Sequence, residues 1–308
     1  MAGAVQRRQI PIGSPAARPA VFRPAQVVQR AADDQARYRM NHQKIRDALD
    51  RLYQMFYVQG RRRAVEKADV SGHVYGALGY EESTYLAKPL ASLGGLAVRD
   101  DGDYLVRKQN GDKSVSEADV NKGNYYHVHN LHYVKPESRQ GLARRIVANV
   151  ASQQDTMLVF NRLVALFKSG DPAVPHIREF KVYVGNSGKI RVKKDKLVVY
   201  YDYVAGAGGA DVVGDAIVAV VQSAGATFGE DLAPFYSVVA SGIAWAEEPK
   251  FHSRAATMQG SFTRTRATVI TAVINANELV ANAGQFLELV AAAFRREGID
   301  LTRAHRHG

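Results

Sequence analysis

The sequence predicts an α+β fold with a small, mainly antiparallel sheet packed by helices. Apolar residues recur at helical spacing in several segments, and other segments are short β-branched and aromatic runs flanked by turn-forming residues. Of the 308 residues, 46% are hydrophobic and 23% charged, an ordinary globular composition that excludes a wholly disordered, collagenous or coiled-coil chain. We therefore expect one folded domain over residues 38–300.

Both ends of the chain are predicted to lie outside this domain. Residues 1–37 contain four prolines and more arginines than acidic residues, and they show no helical or strand period. A disordered basic tail is the simplest interpretation, and a secretion segment would have the same composition. Residues 301–308 are predicted to form a flexible C-terminus.

The first half of the domain is predicted to contain helices followed by strands. Apolar positions within residues 45–56 follow a helical period, which Gly60 ends. A further helix is predicted over Glu81–Leu93, closed by two glycines. Short strands are predicted at Tyr104–Val106 and Tyr125–Val128.

The second half carries the stronger secondary-structure signals. A strand, a helix, two further strands and three helices follow one another, separated by glycine-rich or proline-containing turns. These elements are Ile146–Val150, Thr156–Phe167, Phe180–Val184, Lys196–Tyr201, Asp211–Gln222, Thr268–Asn282 and Phe286–Arg296.

Several function classes are excluded by what the sequence lacks. The absence of cysteine excludes disulfides, thiolate catalysis and cysteine-based metal sites. Apolar runs are too short for a membrane span, so we expect no membrane partner. Phosphate-binding glycine loops, the nucleophile elbow and the His-Glu-x-x-His motif are also missing. The net charge of +11 attracts anions, which leaves a nucleic-acid binder as a minor alternative.

Two histidines on one predicted strand are the first candidate site. His127 and His129 are two residues apart, so their side chains share a strand face, a spacing that metal sites use. His132 follows, and a metal site would need a carboxylate or third histidine nearby, but the neighbours Asn124 and Asn130 are poor ligands. We therefore favour ordinary surface or pocket histidines and predict neither a metal nor another cofactor.

A set of cations alternating with aromatic residues is the second candidate site. Such a set could line a phosphate-binding cleft, because guanidinium and ammonium groups donate charge-assisted hydrogen bonds. Composition alone favours a solvated basic face or a nucleic-acid platform instead. The residues concerned are Arg145, Lys181, Lys189, Arg191, Lys193, Lys194, Tyr200, Arg264 and Arg266.

The order of motifs in the second half resembles the HopA-type family of type III secretion effectors and its relatives in lanthipeptide gene clusters. The resemblance covers about residues 45–275. It rests on Arg145 with Asn149-Val150, Arg178-Glu179-Phe180-Lys181-Val182, Lys193 with Asp195, Val198-Val199-Tyr200, and Ser261-Phe262 with Arg266.

This family resembles, remotely, the phosphothreonine lyases of bacterial effectors, which eliminate phosphate and leave a dehydroamino acid. The resemblance implies that Lys181 is the base and that Tyr200 orients it or the substrate. Val147 stands where the lyases have their acid histidine, so His127 or His129 would have to act from the adjacent strand. Phosphate would be bound by Arg145, Lys193, Arg191 and Arg266.

Two functions follow from this resemblance. The first is a phosphothreonine or phosphoserine lyase acting on a phosphorylated protein or peptide. The alternative is a noncatalytic secreted effector that binds a host signalling or immune protein. An effector would be secreted into a host cell, whereas an enzyme of a peptide-modifying cluster would stay in the bacterial cytoplasm.

Overall fold

The computed structural model describes residues 42–65, 67–82, 102–108, 125–183, 191–253 and 256–307. Eleven strands are found there. They are β1 (Tyr57–Val58), β2 (Arg61–Arg62), β3 (Tyr80–Glu82), β4 (Tyr104–Lys108), β5 (Tyr125–Asn130), β6 (Ala143–Ala148), β7 (Ile177–Tyr183), β8 (Arg191–Lys193), β9 (Leu197–Asp202), β10 (Ser237–Ala240) and β11 (Ile243–Glu247).

Six α-helices accompany these strands in the described residues. They are α1 (residues 42–56), α2 (Lys67–Gly79), α3 (Gln153–Phe167), α4 (Val212–Gln222), α5 (Phe262–Ala276) and α6 (Ala283–Arg296). Three of them begin at a polar side chain that accepts a hydrogen bond from the first turn, namely Ser152, Asp211 and Asn282. Such caps satisfy backbone N–H groups that have no partner within the helix.

Seven strands form one antiparallel sheet in the order β10-β11-β6-β9-β7-β5-β4. The α+β class with a mainly antiparallel sheet is therefore confirmed, and the sheet is larger than predicted. Two small sheets stand apart from it: β1 pairs with β2, and β3 pairs with β8.

Each face of the large sheet is covered by a different set of helices. Alternation along β9 sends Val199 into a cluster with α3 and α4, and Val198 into a second cluster with α1, α2, α5 and α6. Both valines are fully buried. This layering leaves the second face polar where it extends from β9 towards β7 and β5.

Several elements have different bounds in the structure from those that the sequence predicts. The strand predicted from Ile146 begins at Ala143, and the helix predicted from Thr268 begins at Phe262 and ends at Ala276. Asn282, predicted to end that helix, caps the next one. Glu81 and Glu82, predicted to start a helix, lie in β3.

Some predictions concern residues outside the described part of the chain. The tail over residues 1–37 is one of these, and residues 83–93 of the predicted helix are another. The described residues all lie in one compact unit, and the predicted domain boundaries stay predictions.

The C-terminal residues make ordered contacts with the end of β11, which the prediction of a flexible C-terminus did not provide for. The backbone N–H of Glu247 donates to the carbonyl of His305 at 2.9 Å. The N–H of His307 donates to the Glu247 carboxylate at 2.7 Å, and Ala304 is 3% exposed.

Candidate functional site

The polar face of the large sheet brings candidate residues from four strands together. In one row across the sheet, Arg145 of β6 lies opposite Tyr200 of β9, Tyr200 opposite Glu179 of β7, and Glu179 opposite His129 of β5. Strand alternation places the next row of this face two residues further along each strand. That row contains Val147, Val198, Lys181 and His127.

Lys181 is half-buried between aromatic rings at the centre of this face. Its Nζ atom lies 4.0 Å from the ring centroid of Tyr125 and 6.0 Å from that of Tyr200. Within the described residues, Lys181 forms no ion pair. The Tyr125 hydroxyl donates to Asp195, and burial with the nearby Asp195 charge raises the pKa of Tyr125. The neutral ring therefore packs against the lysine as a cation–π partner.

The two histidines share one carboxylate. Nδ1 of His129 lies 2.9 Å from Oε2 of Glu179, and Nδ1 of His127 lies 3.6 Å from the same oxygen. Burial raises the pKa of Glu179, but the hydrogen bonds from both imidazoles and the charge of Arg178 outweigh it, so the pKa is lowered. An ionised Glu179 keeps the Nδ1 proton of His129 in place, and Nε2 of His129 is then left for another partner.

A β-bulge adds Arg178 to the same face. The pairing of β7 with β9 shifts between Ile177 and Glu179, so one extra residue lies on β7. The Arg178 guanidinium lies 4.9 Å from the ring centroid of Tyr200 and binds Oε1 of Glu179 at 2.5 Å. Arg178 and Glu179 are adjacent in the resembling motif, but regular alternation would have placed them on opposite faces.

Arg145, predicted to bind phosphate, lies on this face and is already paired. Two of its nitrogens donate to the two carboxylate oxygens of Glu248, and Nη1 donates to the Tyr236 hydroxyl at 3.4 Å. Arg145 is 3% exposed. Burial acts to raise the pKa of Glu248, but the Arg145 charge dominates and lowers it. An incoming anion would have to compete with Glu248 for this guanidinium.

Lys193 lies beside the face, on the small β3–β8 sheet. Its Nζ donates to the Tyr75 hydroxyl at 2.9 Å and lies 4.1 Å from the ring centroid of Tyr80. Burial acts to lower the pKa of Lys193, but Tyr75 and its hydrogen bond reverse this effect and raise it. Arg191, on the same strand, extends away to the Gly76 carbonyl of α2.

Arg266 does not reach the polar face. It is fully buried in α5, and its Nη2 donates to the Ala304 carbonyl at 2.7 Å while Nη1 lies 3.0 Å from Nε2 of His307. Burial lowers the pKa of Arg266 to about 9. In this structure Arg266 anchors the C-terminal segment.

The sequence-based search missed a buried network beside the site. Lys196 of β9 donates to Glu81 and to the Asn149 carbonyl oxygen, and Asn149 donates to Glu81 at 2.9 Å. Burial lowers the pKa of Lys196 despite the Glu81 charge. Asn149 is part of the motif that resembles the HopA-type family, and this motif was the one sequence feature that pointed to it. Nothing in the sequence links Asn149 to Glu81.

In the described residues, no group of three or more histidine, aspartate or glutamate side chains is arranged to hold a metal ion. None of the helices described is both long enough and apolar enough to cross a membrane.

Comparison with known families identifies the chain. The model of the HopA1 effector protein family matches residues 115–306, which is more than half of the chain. The chain belongs to the HopA1 effector protein family. This is a family of type III secretion effectors, and the matched residues include Lys181, both histidines and the bulge.

Two solved structures are similar to the HopA1-family chain. An effector protein from Pseudomonas syringae pv. tomato strain DC3000 shares 14% identity with a TM-score of 0.59, covering 86% of this chain and 98% of its own. An effector protein from Pseudomonas syringae pv. syringae strain 61 shares 14% identity with a TM-score of 0.49, covering 88% and 96%. The first likeness supports the fold. A search of curated proteins finds no match.

Proposed function

We propose that this HopA1-family protein is an effector that eliminates phosphate from phosphothreonine or phosphoserine in a host protein or peptide. Lys181 carries this proposal. Its amine is half-buried, forms no ion pair among the described residues, and lies opposite His127 in the sheet. A base and an acid on neighbouring strands are what a β-elimination requires.

The proposed reaction includes two proton transfers, one to Lys181 on β7 and one from a histidine on β5. The neutral Lys181 amine takes the Cα proton of the phosphorylated residue, and the C–H electron pair becomes the Cα=Cβ bond. The Cβ–O bond breaks, and its electron pair leaves with phosphate. An imidazolium Nε2–H of His127 or His129 donates a proton to the leaving oxygen, and Glu179 stabilises that imidazolium through Nδ1.

Tyr200 has a positioning role in this scheme. Its ring centroid lies within 6.0 Å of the Lys181 amine and of the Arg178 and Arg145 guanidiniums. The ring therefore keeps the two guanidiniums near the amine, where their positive charge favours the negative charge that develops on the leaving oxygens. Lys193 and Arg191 supply further positive charge on the neighbouring small sheet.

Mass spectrometry of phosphothreonine and phosphoserine peptides tests the proposed reaction. Elimination gives a dehydroamino acid, whereas a phosphatase gives the hydroxyl residue, which is heavier by one water. Addition of a thiol to the product confirms the double bond. A broad peptide panel that yields only intact or hydrolysed peptide would contradict the proposal.

A noncatalytic effector that binds a host protein is the second candidate function. Arg145 is held by Glu248, and Arg266 is held by the C-terminal segment, so two of the four predicted phosphate ligands are occupied. A docking role predicts that Lys181→Ala keeps the effect of the protein on host cells. Loss of that effect in a folded Lys181→Ala variant would contradict it.

A further inference from the structure

We propose that Arg178 is the phosphate-binding arginine of this site, released to the substrate by Glu179. This inference rests on the proposed function, because it names the group that holds the phosphate during elimination. The resemblance assigned phosphate binding to other cations.

The bulge is the first argument. In a regular strand, residues two apart face the same side and residues three apart face opposite sides. Arg178 would then lie with Phe180 against α3, on the side opposite to Lys181. Ile177 and Phe180 instead both join the core cluster on that side, which shows that the alternation shifts between them. Arg178 and Lys181 consequently share the polar face. Bulges often redirect a side chain beside an active site.

A guanidinium nitrogen of Arg178 without a hydrogen-bond partner is the second argument. Nη2 of Arg178 binds one oxygen of Glu179, while its Nε is buried and has no hydrogen-bond partner in the described part of the chain. An unsatisfied buried donor is costly, so a ligand that accepts from it gains affinity. A phosphate has oxygens enough to accept from Nε and Nη2 together.

The difference in accessibility between Arg178 and Arg145 is the third argument. Arg145 is bound at both carboxylate oxygens of Glu248 and is nearly inaccessible. Arg178 has 29% of its side chain exposed and lies over the ring that Lys181 also approaches. Glu179 has two imidazoles as further partners, so it stays hydrogen-bonded when Arg178 turns to a phosphate.

Binding of a peptide that cannot react tests this assignment. The probe is a fluorescent phosphoserine peptide with a methyl group in place of the Cα hydrogen, compared with its unphosphorylated form. Anisotropy titrations use the full-length wild type, Arg178→Gln, Arg178→Lys and Arg162→Gln. Arg162 is the matched control, because it is an exposed arginine on α3, which covers the opposite face of the sheet, and its substitution also removes one charge.

We expect Arg178→Gln to weaken binding of the phosphopeptide about tenfold or more, since a charge-assisted bidentate contact is lost. Arg162→Gln should bind the phosphopeptide within about twofold of wild type, and Arg178→Gln should bind the unphosphorylated peptide within about twofold of wild type. Arg178→Lys keeps the positive charge but loses the paired N–H donors of the guanidinium, so its affinity should lie between those of wild type and Arg178→Gln. It also provides the test if Arg178→Gln fails to fold.

The two proposals fail in different ways. If the wild type prefers the phosphopeptide and Arg178→Gln keeps that preference, the Arg178 assignment is overturned and the proposed function stands. If the wild type binds both peptides alike, the proposed function fails and the assignment fails with it.

Discussion

Buried charges in this molecule are compensated by neighbours in different ways. Arg145 is paired with Glu248, Arg139 with Asp202, and Lys196 with Glu81. Lys181 differs from these residues, because it has no ion pair in the described residues. Incomplete pairing is expected where a charged ligand is to be bound.

The Lys196–Glu81 pair allows a test of how strongly the stability of the protein depends on pairing a buried charge. Glu81→Gln leaves the buried lysine without its carboxylate, so we expect a loss of about 3–5 kcal/mol in the free energy of unfolding. The double variant Glu81→Leu/Lys196→Met removes both charges and should recover much of that loss. Urea unfolding measures both. Equal stability of Glu81→Gln and wild type would contradict the account.

The family resemblance grouped Lys181, His127 and Tyr200 as site residues, and the strand register places all three on one face of the sheet. Arg178 was not among the predicted site residues, although the run Ile177-Arg178-Glu179-Phe180 contains two charged residues between apolar ones, a pattern that indicates a bulge. The pairing of Arg145 with Glu248 joins residues 103 apart in sequence, and no local pattern reports it.

At the scale of elements, the β10–β11 hairpin was the largest omission. Ala244 and Ala246 of β11 are fully buried against the helices of the second cluster. Alanine has a low strand propensity, so β11 lacks the dense β-branched signal that identified β9. Tertiary packing, which requires small residues under the helices, explains why the prediction failed there.

The turn of this hairpin depends on Gly242. Its φ of +66° is in the left-handed region, and a Cβ atom there would lie 2.4 Å from Cβ of Phe228 and 2.8 Å from the Gly229 carbonyl oxygen. We expect Gly242→Ala to cost more than about 3 kcal/mol in the free energy of unfolding, since backbone strain and a clash combine.

Gly208 provides the matched control for this substitution. It has a similar φ of +68°, but a Cβ atom there meets nothing within 4 Å. Gly208→Ala should therefore cost only the conformational strain, about 1 kcal/mol. Chemical denaturation of both variants separates the two contributions, and equal costs would show that the clash at Gly242 is relieved.

At the scale of the whole molecule, the C-terminal segment links stability to pH. Burial, together with neighbouring cations, lowers the pKa of His305 and of His307 to about 3 in the folded protein. The surrounding groups are Arg306, Arg266, Arg303 and Arg144 for His305, and Arg266 and His252 for His307, with Glu247 accepting from the His307 backbone.

The sign of the pH dependence follows from these two pKa values. An unfolded histidine takes up a proton near its ordinary pKa of 6.5, whereas the folded residues stay neutral, so acidification favours unfolding. Between pH 6.5 and 4.5, the free energy of unfolding should fall by at most about 1.4 kcal/mol per pH unit for each histidine. Glu179 and Glu248, with lowered pKa values, extend the loss below pH 4.5.

Urea unfolding at several pH values checks this prediction. The chain has one tryptophan, Trp245, whose ring centroid lies 4.8 Å from that of His305, so its fluorescence reports on the segment directly. The variant His305→Gln/His307→Gln cannot titrate there and should show a flatter profile above pH 4.5. An unchanged profile would mean that other groups carry the pH dependence.

The proposed phosphate elimination depends on Lys181 as its base. Mass spectrometry of a phosphothreonine peptide incubated with wild type, Lys181→Ala and Lys135→Ala tests this role. Lys135 is an exposed lysine and controls for the loss of one charge. We predict dehydrated peptide with wild type and Lys135→Ala, and a reduction of about 10²-fold or more with folded Lys181→Ala. Dehydration by Lys181→Ala at the wild-type rate would contradict the account.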